Sequence, residues 1–182
     1  NIDIPLYGFS KEKIYYAFCI DKTSTLIGII PLEQKIKSGK KEILYPKIMT
    51  VPQQAKKSVN IIASFLCDNA SYAIGLPKSD ELKEIKKTEK RFSEFKKLHH
   101  LIIDGKGSDL GDIFLKFLDT YSYEQYQDIL KPYKERLMEG GLIGFQVDGK
   151  FLHEDEYLKE LWLDAKEEES KDAKKMMCLA TA

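Results

Sequence analysis

IYYAFCIDKTSTLIGII, running from Ile14 to Ile30, decides the fold class. Its two ends, Ile14 to Ile20 and Leu26 to Ile30, are rich in the β-branched and aromatic residues that fill strands. Between them Asp21 to Thr25 is polar turn material. Two apolar runs joined by such a loop predict an antiparallel hairpin. Working outward, Ser38-Gly39-Lys40 is the next turn, and Glu42 to Met49 supplies a third strand. Pro46 puts that strand at an edge, because proline cannot donate to a ladder. These segments read as a small antiparallel meander.

Helical patterns follow. Thr50-Val51-Pro52 predicts a helix start, with Pro52 near the first helical position, where its missing N–H costs nothing. Ala55, Val59, Ile62, Ala63 and Leu66 continue at helical spacing, with Gln53, Lys57, Asn60 and Ser64 on the other face. A strand over Ile61 to Cys67 is the alternative, and Ser71 to Gly75 reads as a short extended segment. A long helix is predicted from about Asp80 to Asp104. Phe92, Phe95, His99 and Ile102 form its apolar stripe, Ser79 or Asp80 caps its start and Gly105 ends it. Asp112 to Thr120 and Tyr123 to Leu130 read as shorter helices, with a break at Pro132. Leu142 to Val147 is a strand meeting the tight turn Asp148-Gly149. Asp155 to Glu169 is an amphipathic helix with Tyr157, Leu158, Leu161 and Trp162 inward, and Lys175 to Thr181 reads as a last strand. The class is α+β: an antiparallel meander packed with several helices. The expected layout is one domain over residues 1–182, β-rich over 1–76, helix-rich over 80–140 and strand–helix–strand over 141–182.

The 182 residues are 43% hydrophobic and 32% charged, the balance of a soluble globular chain. No apolar run approaches the roughly 20 residues that span a bilayer, and no signal-peptide pattern is present. Cys19, Cys67 and Cys178 lie far apart with no CxxC, which fits a reduced, cytoplasmic protein. Twenty-nine Lys and Arg balance 29 Asp and Glu. Zero net charge argues against a stand-alone nucleic-acid binder. The charge is unevenly spread, however. Lys35, Lys37, Lys40, Lys41, Lys47, Lys56 and Lys57 are opposed between positions 35 and 57 only by Glu42, whereas Glu154 to Asp172 is strongly acidic. One surface can face a polyanion while another faces elsewhere, although charged runs are more often simply solvated faces.

There is no P-loop, no dinucleotide-binding glycine fingerprint, no HExxH and no GxSxG. His99-His100 with Asp104 is the nearest approach to a metal cluster, but the ligand count fails, and no metal or other cofactor is expected. Cys67 with His99 or His100 has the composition of a nucleophile and its base, against the commoner reading of a buried inert thiol. Asp109 and Asp112 suit a cation site, or more simply the first turn of a helix. The segment from Gln53 to Tyr72 differs. Lysines neutralise phosphates, and Asn or Gln offers a donor and an acceptor to base edges. Phe65 and Tyr72 have rings that stack on bases, or that pack in a core.

The segment MTVPQQAKKSVNIIASFLCDNASYAIG, Met49 to Gly75, resembles the N-terminal region of the CRISPR-associated large subunit of the subtype I-C Cascade complex. That family carries "MTVPxQxKRS" and "FLCDNxxYxLG"; here they stand as MTVPQQAKKS and FLCDNASYAIG. The resemblance extends to IYYAFCIDKTSTLIGIIPLEQ, to Lys97-Leu98-His99-His100, to Asp119-Thr120 and to Gly141–Gly149. Lys57 stands where the family has arginine, which keeps the charge and loses the bidentate fork. The family has a short helix before the segment that begins at Pro5, and it continues past the stretch resembling KKMMCLATA, so the resemblance implies an N-terminal piece of a longer protein.

The resemblance implies a non-enzymatic subunit. Its partners would be double-stranded target DNA read at the protospacer-adjacent motif, the 5′ handle of the guide RNA, the other Cascade subunits and a helicase-nuclease, with no membrane. Lys40, Lys41, Lys56 and Lys57 are then expected on phosphates. Gln53, Asn60 and Asn69 are expected at the bases, with Tyr72 beside or beneath them, and Ser58 is expected among the nucleic-acid contacts. A module that docks neighbouring Cascade subunits or the nuclease, for which the acidic helix offers a surface, with DNA read elsewhere, is the competing expectation. A free-standing nuclease is a third.

Overall fold

The computed structural model describes residues 6–181. The expected hairpin is present as β1 (Phe9–Ile20) and β2 (Leu26–Pro31), antiparallel, with the loop at Asp21 to Thr25. Asp21 closes that loop, its Oδ1 accepting from the backbone N–H of Thr23 and Thr25. Buried Ser24, at a positive φ, donates to the Ile113 carbonyl and so ties the turn to a helix behind it.

The third strand is split at Pro46. Residues Gln34–Ser38 (β3) and Lys41–Tyr45 (β4) form a separate two-stranded ribbon, whereas β5 (Lys47–Pro52) pairs with the first half of β1. Without an N–H of its own, Pro46 cannot carry the ladder across. After β6 (Asp68–Asn69) come the helices α1 (Ala70–Ala73), α2 (Leu82–Ile103), α3 (Asp109–Thr120), α4 (Gln127–Leu130) and α5 (Lys134–Met138). The chain then returns as β7 (Leu142–Val147) and β8 (Lys150–Phe151) and ends in α6 (Glu156–Thr181).

The sheet is mixed rather than a simple meander. Its order is β2-β1-β7-β6, and β1 and β7 run parallel, Phe18 facing Phe145. A parallel pair needs a crossover, and α1 to α5 supply it. Gly141, at φ +100, lets the chain pass Tyr15 as it enters β7, where a Cβ would sit 2.6 Å from the ring. Phe18, Phe145, Ile143 and Val147 face a core completed by Phe95 of α2, Phe114 and Phe117 of α3, and Leu158 of α6. Ala17, alternating with Phe18, joins Ile14, Met49, Val51, Cys67 and Phe151 in a smaller cluster on the other side. The fold class is α+β, as expected.

Five local expectations are corrected. Residues 53–67 form neither a helix from Pro52 nor a strand over 61–67; Val51 and Pro52 end β5. Ala70–Ala73 is a helical turn, not extended, because the Asn69 side chain caps it. The predicted strand at 175–181 is the end of α6. No Gly or Pro interrupts the chain after Glu154, and Met, Leu, Ala and Lys are strong helix formers, so nothing stops the helix. At the start of α2 the N-cap is Glu81 rather than Ser79 or Asp80, without a side-chain bond. Tyr157, expected inward on α6, is 42% exposed, while Leu158, Leu161 and Trp162 are buried. The single-domain reading over 1–182 takes in residues 1–5 and 182, and the resemblance at Pro5 falls among them; both lie outside the described residues.

Candidate nucleic-acid interface

Residues 53–67 make an irregular loop without a helical ladder, held in part by N–H groups that find side-chain acceptors. The N–H of Ala55 donates to Ser64 Oγ, that of Ser64 to Asp68 Oδ2, and that of Leu66 to His99 Nε2. Lys57 closes the loop from within. Its ammonium lies 2.9 Å from Asp68 Oδ2, 2.5 Å from the Ile62 carbonyl and 3.4 Å from Ser64 Oγ. It also stands 3.9 Å over the ring of buried Tyr72. An ammonium has three donors, and these acceptors take them. Burial pushes the Asp68 carboxyl up, against the pull of Lys57 and the Ser64 and Asn69 N–H groups.

The nine expected contact residues therefore fall into three groups. Lys57, Asn69 and Tyr72 are built into the base of the loop. Asn69 Oδ1 accepts from Ser71 Oγ at 2.8 Å and from the Tyr72 N–H at 3.3 Å. Gln53, Lys56, Ser58 and Asn60 point to solvent on the loop itself, around Val59, which is fully exposed. Lys40 and Lys41 are exposed at the tip of the β3–β4 ribbon. Lys35 and Lys37 are exposed on the same ribbon, where Glu42 faces Lys37. The geometry gives an anchored base with a polar tip and, separately, a basic two-stranded arm.

The two histidines of α2 face opposite ways. His99 is buried between Phe65, Phe95 and Phe114, with ring centroids 4.2 to 5.2 Å away. Its Nε2 accepts from Leu66 and its Nδ1 lies 2.6 Å from the Phe95 carbonyl, so the proton is on Nδ1. Burial lowers its pKa to about 3. The bond matters locally because Leu66 holds a positive φ. His100 lies at the surface, Nδ1 at 3.0 Å from Asp104 and Nε2 at 2.8 Å from Asp119, so it ties α2 to α3. Both carboxylates raise its pKa, Asp119 more strongly. Asp109 and Asp112 lie in the first turn of α3, behind the Ser108 cap. No cluster of metal-ligating side chains is found among the described residues.

Cys67 does meet a histidine, but it is His153, with Sγ 3.6 Å from Nδ1. Both side chains are fully buried. Burial pushes the thiol up and lowers His153 to about 4, so the pair is neutral and closed to a substrate. Sequence spacing missed this contact and the Lys57–Asp68 pair. For the latter a signal existed: Asp68 directly follows the apolar run Ile61 to Cys67, and a carboxylate in such a place needs a cation.

No helix among the described residues is long and apolar enough to cross a membrane. No curated protein matches the chain. The family model for the CRISPR-associated protein Cas_Csd1 matches residues 1–182. With that match along its whole length, the chain belongs to the Csd1 family of CRISPR-associated proteins.

Proposed function

We propose that the chain is part of the large subunit of a subtype I-C surveillance complex in the cytoplasm, and that it binds target duplex DNA at the protospacer-adjacent motif. The carrying observation is the loop at 53–67, fixed from within by Lys57 and Asp68 while Lys56, Ser58 and Asn60 stand free of the core. Loops on rigid supports are where recognition residues are usually found. Lys56 and the ribbon lysines, Lys40 and Lys41 among them, hold phosphates in this reading. Gln53, Ser58 and Asn60 meet base edges, and Lys57, Asn69 and Tyr72 act by positioning the loop. The subunit catalyses nothing itself; it helps open the R-loop, lies near the 5′ handle of the guide RNA among the other Cascade subunits and recruits the helicase-nuclease.

Gel shifts of the assembled complex on motif-bearing and scrambled duplexes test the reading. Lys56→Ala weakens binding to both duplexes and lowers the salt slope by about one. Asn60→Ala costs about 1–3 kcal/mol on the motif duplex alone. Equal affinity of the wild-type complex for both duplexes would rule out motif reading. Unchanged behaviour of both variants would move the DNA contact elsewhere in the complex. The acidic stretch of α6 favours a second reading, in which the domain docks neighbouring Cascade subunits or the nuclease.

A further inference from the structure

The acidic run on α6 borders a groove. Where the end of α2 passes α6, a groove of about 570 Å³ opens. Ile102 and Leu161 are buried in its floor, and Leu101 stands beside them 79% exposed. Tyr157, whose hydroxyl donates to the Lys106 carbonyl, closes one end. Along the α6 wall stand Asp164, Glu168 and Asp172, at helical spacing and all exposed. None of these three carboxylates has an ion-pair partner among the described residues, although Glu169 beside them is held by Lys166 and Glu167 by Lys171.

We infer that this groove docks a basic amphipathic segment of a protein partner, its apolar face on Leu101 and Leu161 and its Lys or Arg side chains along Asp164, Glu168 and Asp172. An amphipathic helix laid in an apolar groove is a recurring recognition mode. The charge selects the occupant. Asp164, Glu168 and Asp172 outnumber the lining's lysine, Lys106, so the groove disfavours a phosphate backbone or an acidic peptide and steers a cationic one. The inference is independent of the DNA reading proposed above, because the groove shares no residue with the ribbon or with the loop at 53–67.

The test places a photoreactive phenylalanine analogue at position 101 of the full-length protein in the assembled complex. Exposure of Leu101 makes the change compatible with folding, and a thermal melt checks this. After irradiation, mass spectrometry identifies the segment attached. The expected adduct is to another protein subunit of the complex, in a segment with apolar residues at helical spacing flanked by Lys or Arg. A companion Glu168→Lys/Asp172→Lys protein, with the same melting midpoint, is expected to lose the adduct by about tenfold or more. Attachment to nucleic acid, to a second copy of the chain, to a segment of its own chain or to a segment without basic residues overturns the proposal. So does the absence of any adduct, or an adduct that the charge reversal leaves unchanged. DNA binding by the complex is measured on the same samples, so failure here is told apart from failure of the DNA reading.

Discussion

Lys57 was legible as a cation in a meaningful place, but its role was not. Spacing put it on the polar face of a helix, looking outward. In the structure its partner Asp68 lies 11 residues on, fully buried, and the side chains turn inward to meet. The local pattern around Asp68 signals a carboxylate in need of a cation, but it does not say which lysine answers it. Removing the lysine leaves the carboxylate without its cation. Lys57→Ala is therefore expected to lose about 2–4 kcal/mol of stability, with Lys56→Ala nearly neutral, in urea melts of the two proteins. Equal stability of the two variants would show that the pair is not what holds the loop.

The histidines carry a second expectation at this scale. His99 and His153 have lowered pKa values in the fold, about 3 and about 4, and bind protons more readily once unfolded. Stability therefore falls as pH drops below about 6.5, by up to about 1.4 kcal/mol per pH unit for each histidine. His100 acts in the opposite sense. Its raised pKa gives a tie that is complete below the ordinary histidine value and is lost as pH rises through the raised one. Chemical melts at stepped pH check the signs. A stability that rises on going from pH 7 to pH 5 would contradict the buried, neutral state of His99 and His153.

Elements with a strong period were readable from sequence. The β1–β2 hairpin and the 22-residue α2 follow their patterns, although β1 begins at Phe9 rather than Ile14, and Phe95, His99 and Ile102 are buried as the stripe implies. The loop at 53–67 defeated the period where the N–H groups of Ala55, Ser64 and Leu66 find side-chain acceptors, which no helical template anticipates. Its β-branched residues Val59, Ile61 and Ile62 also weaken a helix. The β3–β4 ribbon is a case by itself. Nearly all of its residues are exposed on both faces, and an isolated two-stranded hairpin is marginal in water. Replacing residues 35–44 with a short Gly/Ser linker should shift the melting midpoint by no more than about 2 °C. The same change is expected to weaken non-specific DNA binding by the complex. A large drop in the midpoint would mean that the ribbon serves the core rather than a partner.

At the scale of the molecule, a net charge of zero hides an uneven local spread. Lys35, Lys37, Lys40 and Lys41 crowd the β3–β4 ribbon and Lys56 and Lys57 the loop at 53–67, while Asp164, Glu168 and Asp172 stand unpaired along α6. The charge runs were visible in the sequence. The groove that gives the acidic run a shape was not, because it needs α2 and α6 side by side. Sheet topology was hidden for a related reason: strand patterns show which segments pair with something, and leave direction and partner open.

The pairing of β1 with β7 also has a consequence during protein synthesis. The first strand leaves the ribosome early, yet Ile14 faces Leu142, and the parallel partner of β1 is made only after all five helices of the crossover. At ordinary translation speeds that delay is on the order of ten seconds. Through that interval the hairpin and β5 wait with one edge of β1 open, a template for wrong pairing. Stalled nascent chains ending before Leu142 should thus be cut readily by protease and held by chaperones, and chains released after Leu161 should resist. Early protection of the shorter chains would show that the helices cover that edge before its partner strand arrives.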